Sequence, residues 1–478
     1  MSFNSYIFIL VFLPCTIFGY YITINRNANA GKLFLILAST IFYGFSGKYN
    51  LLILVASIGF NYVISKYISK KNKTLLVIGI SANIILLGYC KYYNFLIFNI
   101  DRFLKLDFVT RNIILPLGIS FYTFQQIQYL VSAYEGECEK GSFIDYVLYI
   151  MYFPKILMGP LTEPAELIGQ FNQCNRKQIN YDNLVAGIQM FGYGLFKKVI
   201  IADTFAKAVD WGFGDITRPT AGEFIIIMVA YTFQIYFDFS GYSDMAIGIS
   251  KMLNIDLPIN FDSPYKSFSI REFWKRWHIS LTNFFTKYIY IPIGGSRKGK
   301  VRTYINTILI FLISGIWHGA SWTYIVWGVI HGTECVVERI IGDRWNKIHA
   351  AVRWFMTFLN INILWLLFRS ESVTAWIKIL YKIICFNSME ISDDLISIFD
   401  LPEYNFLFNI CRIDIFNAHI RGFAMLIMFM FAFVICLCCE NNYKSKKSGI
   451  LGAILTPVCI TWSLIGLSAE TTFVYFNF

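Results

Sequence analysis

Charge is scarce in this 478-residue chain. Only 15% of its residues are Asp, Glu, Lys or Arg, where a soluble domain carries about a quarter. That scarcity excludes a water-solvated globule of this length. No CxxC framework orders the 11 cysteines, and Cys436, Cys438 and Cys439 sit inside an apolar run. They read as small packing residues, and neither a disulfide nor a metal site is expected. The opening MSFNSYIF has no basic region and no small-residue cleavage site, so it reads as a first membrane helix rather than a cleaved leader. No GxSxG elbow occurs, which leaves a Ser–His nucleophilic scheme without support. No internal repeat is visible. That argues against the common inverted-repeat transporter folds.

What the chain has in abundance is apolar surface: 56% hydrophobic residues and a mean hydropathy of +0.54. About 20 apolar residues cross a bilayer core as a helix. Candidate spans lie near 5–23, 33–46, 50–66, 74–97, 113–132, 143–158, 186–204, 222–240, 303–317, 320–336, 354–368, 421–439 and 450–467. Several are shorter than a full span and read as tilted, broken or re-entrant, which membranes tolerate only where protein covers the backbone. The expected fold is an all-α polytopic membrane protein of about eleven to thirteen membrane and re-entrant helices, in one domain over 1–478. N-terminal helices run to 110, a polar-interrupted core covers 111–340, and plain helices fill 341–478.

The net charge of +11 falls in short clusters, SKYISKKNK at 65–73, GSRKGKVR at 295–302 and NNYKSKK at 441–447. Such clusters mark cytoplasmic loops and contacts with lipid headgroups, not nucleic-acid binding. Counting spans back from 65–73 puts the N-terminus outside. A polar insertion at 386–420, with Asp393, Asp394, Asp400 and Glu403, reads as an extracytoplasmic loop.

Polar residues inside the apolar core are the candidates for chemistry, because an ionisable group at membrane depth is costly. In YTFQIYFDFSGYSDMAIG, Gln234 and Asp238 share a helical face, and Asp244 follows Gly241, which is expected to loosen the helix. These three read either as a helix-packing network or as the polar wall of a cavity. In SIREFWKRWHISLTNFF, Arg271, Lys275, His278 and Thr282 form one stripe, and Trp274, Trp277 and Leu281 an adjacent one. Ser269 and Glu272 make a capping box. The pattern fits an interfacial helix, or one lining a cytoplasm-facing funnel whose bases attract an anionic donor.

The third stretch is SGIWHGASWTYIVWGVIHG, residues 314–332. No Asp, Glu, Lys or Arg occurs between Arg302 and Glu334, yet the run holds His318 and His331. Gly315-x-x-x-Gly319 and Gly328-x-x-x-Gly332 are close-packing patterns. On one straight helix the two histidines point about 220° apart, so they share a site only if the helix breaks. HGAS is a candidate turn that would place His318 at a cavity end. A neutral, partly desolvated imidazole is an effective general base near pH 7. His349 and His419 lie in polar loops and read as solvated.

The motifs FQIYFDFSGYSDMAIG, INFDSPYKSFSIREFWKRWHISL, YIYIPIGGSRKG and GIWHGASWTYIVWGVIHG resemble the membrane-bound O-acyltransferase (MBOAT) family. The likeness is to its bacterial polysaccharide branch, typified by the membrane subunit of the alginate O-acetylation machinery. It runs from about residue 3 to 370. The resemblance implies a ring of helices around two funnels that meet at a thin centre. It implies that His318 is catalytic and that His278, forty residues earlier, is a second essential position. For that chemistry His278, Arg276 or a tryptophan N–H would polarise the thioester carbonyl or orient the base, with Gln234, Asp238, Asp244, Trp274, Trp277 and Trp317 around the substrates.

It further implies a bacterial cytoplasmic membrane location and a relay. Acetyl from cytoplasmic acetyl-CoA, a donor substrate rather than a bound cofactor, would pass toward an extracytoplasmic, hydrolase-like partner and an exported glycan. The alternative from the residues alone is a proton-coupled transporter or glycan-lipid flippase, which intramembrane Asp238, Asp244 and two histidines would also suit.

Overall fold

The computed structural model of the chain describes residues 1–70, 73–105, 110–137, 141–173, 178–401, 420–443, 449–467 and 473. Glu403 and His419 lie outside them. Among the described residues the regular structure is helical, and one antiparallel bridge joins Phe261 to Trp277. Six helices among these residues are long and apolar enough to cross a membrane. They are α1 (Phe8–Arg26), α3 (Lys48–Tyr67), α4 (Lys73–Leu104), α8 (Tyr181–Gly214), α9 (Ala221–Met252) and α14 (Ala350–Arg369). Shorter apolar helices are α2 (Ala28–Gly44), Gly422–Leu437 and Ile450–Gly466. The remaining helices used below are α5 (Ile119–Glu135), α6 (Phe143–Met151), α7 (Pro164–Asn172), α10 (Ile270–Arg276), α11 (Ile279–Phe285), α12 (Lys300–His318) and α13 (Trp322–Ile341).

The chain divides into two compact units. The first comprises Met1–Leu195, Tyr242–Asn260 and Lys447–Phe478, and the second Phe196–Gly241 and Phe261–Lys446. In the first unit the polarity is inverted relative to a soluble protein. Phe18, Leu52 and Ile85 point outward, while Ser57, Asn61 and Asn83 are buried. Outward apolar side chains suit lipid, and inward polar ones hold helices together. The amide of Asn83 donates to Asn61 Oδ1 at 2.6 Å, and Asn61 in turn donates to Gln126, which ties α3 and α4 to α5. Lys32 of α2 donates to Asp145 of α6 at 2.6 Å and also to Asn172 at the end of α7. Both charges are almost fully buried, so each neutralises the other where water does not reach.

Two expectations change here. The apolar run 143–158 yields only the nine-residue α6, which stops at Met151 and passes into turns. Pro154, Gly159 and Pro160 follow directly, and proline lacks the amide that a continuing helix needs. Helix α9, by contrast, runs unbroken through Gly241. Gly248 explains the glycine content of this stretch better. Within the first unit a Cβ on Gly248 would lie 2.6 Å from the carbonyl oxygen of Gly187, so glycine lets α8 and α9 cross closely.

The second unit is organised by a hairpin. Helix α12 ends at His318, and Ser321 caps α13 by accepting from the Thr323 amide at 3.3 Å. The two helices pack through glycines. A Cβ on Gly315 would run into the Tyr324 carbonyl, and one on Gly328 into that of Phe311.

Candidate active site

The turn at 319–321 falls where HGAS was expected to break the helix, and it decides the geometry. His318 is the last residue of α12, 7% exposed. Its imidazole packs at steep angles against Trp317, Trp327 and Phe368, with ring centroids 5.0, 5.4 and 5.2 Å away. Because α13 folds back along α12, His331 reaches the other neighbour of that group. Its ring lies 4.8 Å from Trp327. The condition for the two histidines to share surroundings, a helix break between them, is met.

His278 arrives from a different element. The stretch 269–285 is not one helix. It is α10 and α11, broken at Trp277–His278. Ser269 does cap α10, accepting from the Glu272 amide at 3.1 Å, while the Glu272 carboxylate reaches back to the Phe268 amide. The break comes from packing. Trp277 is pulled into a cluster of Phe261, Phe273 and Trp365, with centroids 4.9–5.5 Å away, and the Arg276 carbonyl accepts from the Asp262 amide. His278 then takes a left-handed backbone conformation, φ +46°, which is uncommon for a residue with a side chain. The stripe Arg271–Lys275–His278–Thr282 therefore does not form one face.

The consequence is that His278 turns inward. It is 2% exposed and packs against Phe239 at 4.7 Å and Trp317 at 6.4 Å. It lies in a short segment outside the six spans, and burial pushes its imidazole below its ordinary pKa, so the ring is neutral. Trp317 thus lies against both His278 and His318.

The other expected residues divide. Trp274 belongs to the same aromatic group, 5.4 Å from Trp327 and 5.0 Å from His331. The indole N–H groups of Trp274 and Trp327 are buried and have no acceptor among the described residues. Arg276 is directed elsewhere, to Glu272 at 2.9 Å and to the Asp262 carbonyl. Asp238 is held by Lys198 at 2.7 Å, and Lys198 also binds Asp203 at 2.9 Å. Gln234, one turn before Asp238, is buried with its carbonyl oxygen unpaired among the described residues. Asp244 is buried further along α9, among the residues of the first unit. His349 is exposed and caps α14, accepting from the Ala351 amide.

Three partners were not anticipated. Lys198 sits in a π-turn of α8, and its signal was legible: a lysine inside an apolar run needs a counter-charge. Glu334 follows His331 by three residues, within helical reach, and its carboxylate accepts from His331 Nδ1 at 3.1 Å. Phe368 had no local signal.

With this geometry in place, relatives decide the class. The profile of the membrane-bound O-acyltransferase family matches residues 106–376, which contain every histidine of the aromatic group. The chain is 36% identical to the peptidoglycan O-acetyltransferase of Helicobacter pylori, over 100% of this chain and 98% of that one.

The chain belongs to the MBOAT family.

It is an O-acyltransferase and a multi-pass membrane protein of the family's polysaccharide branch. A probable alginate O-acetylase of Pseudomonas aeruginosa is 38% identical over 79% of this chain and 74% of its own. A teichoic acid D-alanyltransferase of Streptococcus thermophilus is more distant, 27% identical over 56% of this chain and 71% of its own. Family membership favours the enzyme over the transporter reading of the buried charges.

Proposed function

We propose that this MBOAT protein moves an acetyl group from cytoplasmic acetyl-CoA toward the hydroxyl of an exported glycan, through an extracytoplasmic partner, in a bacterial cytoplasmic membrane. The observation that carries the reading is the pairing of two buried imidazoles, His278 and His318, on one indole ring. The relatives named for peptidoglycan and alginate acetylation supply the acyl group and the glycan class.

A thioester is already activated, so the enzyme must deprotonate a hydroxyl and stabilise an oxyanion. The His318 imidazole takes the acceptor's O–H proton as the oxygen bonds to the thioester carbonyl carbon. The tetrahedral oxyanion collapses, the C–S bond breaks, and the imidazolium returns its proton to the departing thiolate. The neutral His278 ring and the Trp327 N–H, which has no acceptor among the described residues, are donors suited to the oxyanion. Exclusion of water protects the thioester from hydrolysis.

The test uses purified protein in nanodiscs with radiolabelled acetyl-CoA, with and without its extracytoplasmic partner. Label leaving coenzyme A for acceptor or water supports the donor assignment. Label that stays on coenzyme A under both conditions contradicts it.

A further inference from the structure

We infer that His331 and Glu334 form a positioning pair for His318, acting through the Trp327 ring. The inference rests on the reading of His318 as the base. His331 is 1% exposed, and its ring packs on Trp327 and Trp274, with Trp327 between it and His318. An apolar ring would serve packing as well. Instead its Nδ1 faces the Glu334 carboxylate at 3.1 Å, and the other carboxylate oxygen accepts from Asn360 Nδ2 at 2.8 Å. A carboxylate only accepts, so Nδ1 carries the proton and the tautomer is set. Asn360 belongs to α14 and Glu334 to α13, so the clamp joins two helices.

The ring so fixed stands at 82° to Trp327 and 81° to Trp274. Trp327 is fully buried and stands at 86° to His318. Steep ring angles of this kind are the preferred electrostatic arrangement. A close-packed interior transmits a displacement rather than absorbing it. Rotation of His331 therefore moves Trp327, and with it the seat of His318.

Glu334 is the accessible member of the pair. It lines a cleft of about 480 Å³ together with Thr333, Met356, Thr357 and Asn360. The cleft leaves room for a small carboxylate at the place of a deleted Glu334 side chain.

Glu334→Gln is the direct variant. Glutamine is neutral and replaces one of the two acceptor oxygens by a donor amide, so the charge-assisted bonds to His331 and Asn360 cannot both persist as they are. Full-length protein labelled in its histidine rings gives the first readout by NMR, with His318→Gln and His331→Gln assigning the signals. In Glu334→Gln, the signals of His331 and His318 shift while exposed His349 stays. His318 signals at wild-type positions overturn the inference.

Asn360→Ala, which leaves the charge, gives the same result in weaker form and guards against a misfolded first variant. Turnover supplies the second readout. Glu334→Gln lowers kcat about tenfold with KM for acetyl-CoA unchanged. Formate restores part of the activity of Glu334→Ala. Wild-type kcat in Glu334→Gln overturns the inference. The ring signals need no turnover, and His318→Ala in the same assay tests the parent reading separately.

Discussion

His278 and His318, forty residues apart in sequence, lie against the same ring, that of Trp317, with centroids 6.4 and 5.0 Å away. His318 holds its place because α12 ends there, and His278 because α10 and α11 break there. The indole is the shared wall that sets both rings. Trp317→Leu keeps an apolar side chain but removes that wall. Turnover is expected to fall about a hundredfold, the scale on which small misplacements of a reacting group act. The melting temperature should change far less than the rate. Steady-state kinetics beside thermal unfolding checks this, and a variant with wild-type kcat contradicts it.

The Lys198–Asp238 pair makes a stability prediction. Both side chains are almost fully buried, and Lys198 also holds Asp203. Lys198→Met removes the cation that Asp238 and Asp203 share and is expected to cost about 3–5 kcal/mol. Asp238→Asn should cost less, because Lys198 keeps Asp203. Unfolding in detergent orders the two. The reverse order would show that Asp203 does not share the charge.

The hairpin glycines make a steric one. A Cβ on Gly315 meets the Tyr324 carbonyl, a backbone atom that cannot swing aside. Gly315→Ala is expected to cost about 1–3 kcal/mol by overpacking. Turnover should also drop, since His318 is three residues on. Gly59 of α3 is the control, because a Cβ added there would meet nothing within 4 Å. At that position alanine should stabilise slightly through helix propensity. Equal melting shifts at the two sites would refute the close-approach argument.

Burial of His278 predicts a pH dependence. Its folded pKa lies below the ordinary 6.5, so the unfolded chain takes up its proton first as pH falls. The folded state therefore loses stability below about pH 6.5, and the loss grows until the folded ring itself titrates. His278→Asn removes the titrating group and suits the left-handed backbone, which asparagine tolerates. Melting curves between pH 7.5 and 5 should fall less steeply for the variant. Parallel curves would mean His278 is not desolvated.

Much of this site could be read from the residues, for identifiable reasons. His318 stood out because an imidazole in an apolar run needs an explanation, and the turn after it because Gly319 and Ser321 both disfavour helix continuation. Family motifs drew His278 to it. What could not be read was long-range. Whether 269–285 is one helix depends on Trp277 being captured by Phe261 and Trp365, which are distant in sequence. For Asp238 a helix-packing network and a cavity wall both stay open in the sequence, because its partner Lys198 lies forty residues away. Arg276 carried the right charge but pairs with Glu272, one turn back on its own helix. Local pattern sets helix type and caps, whereas the pairing of buried charges is set by packing.

In the proposed reaction His318 is the base of an acyl transfer from a thioester. The most direct measurement is radiolabelled acetyl turnover from acetyl-CoA by purified wild type and His318→Ala, each shown to be folded by its melting curve. Wild type is expected to turn over, and a folded His318→Ala to lose that turnover. Equal turnover in both would contradict it.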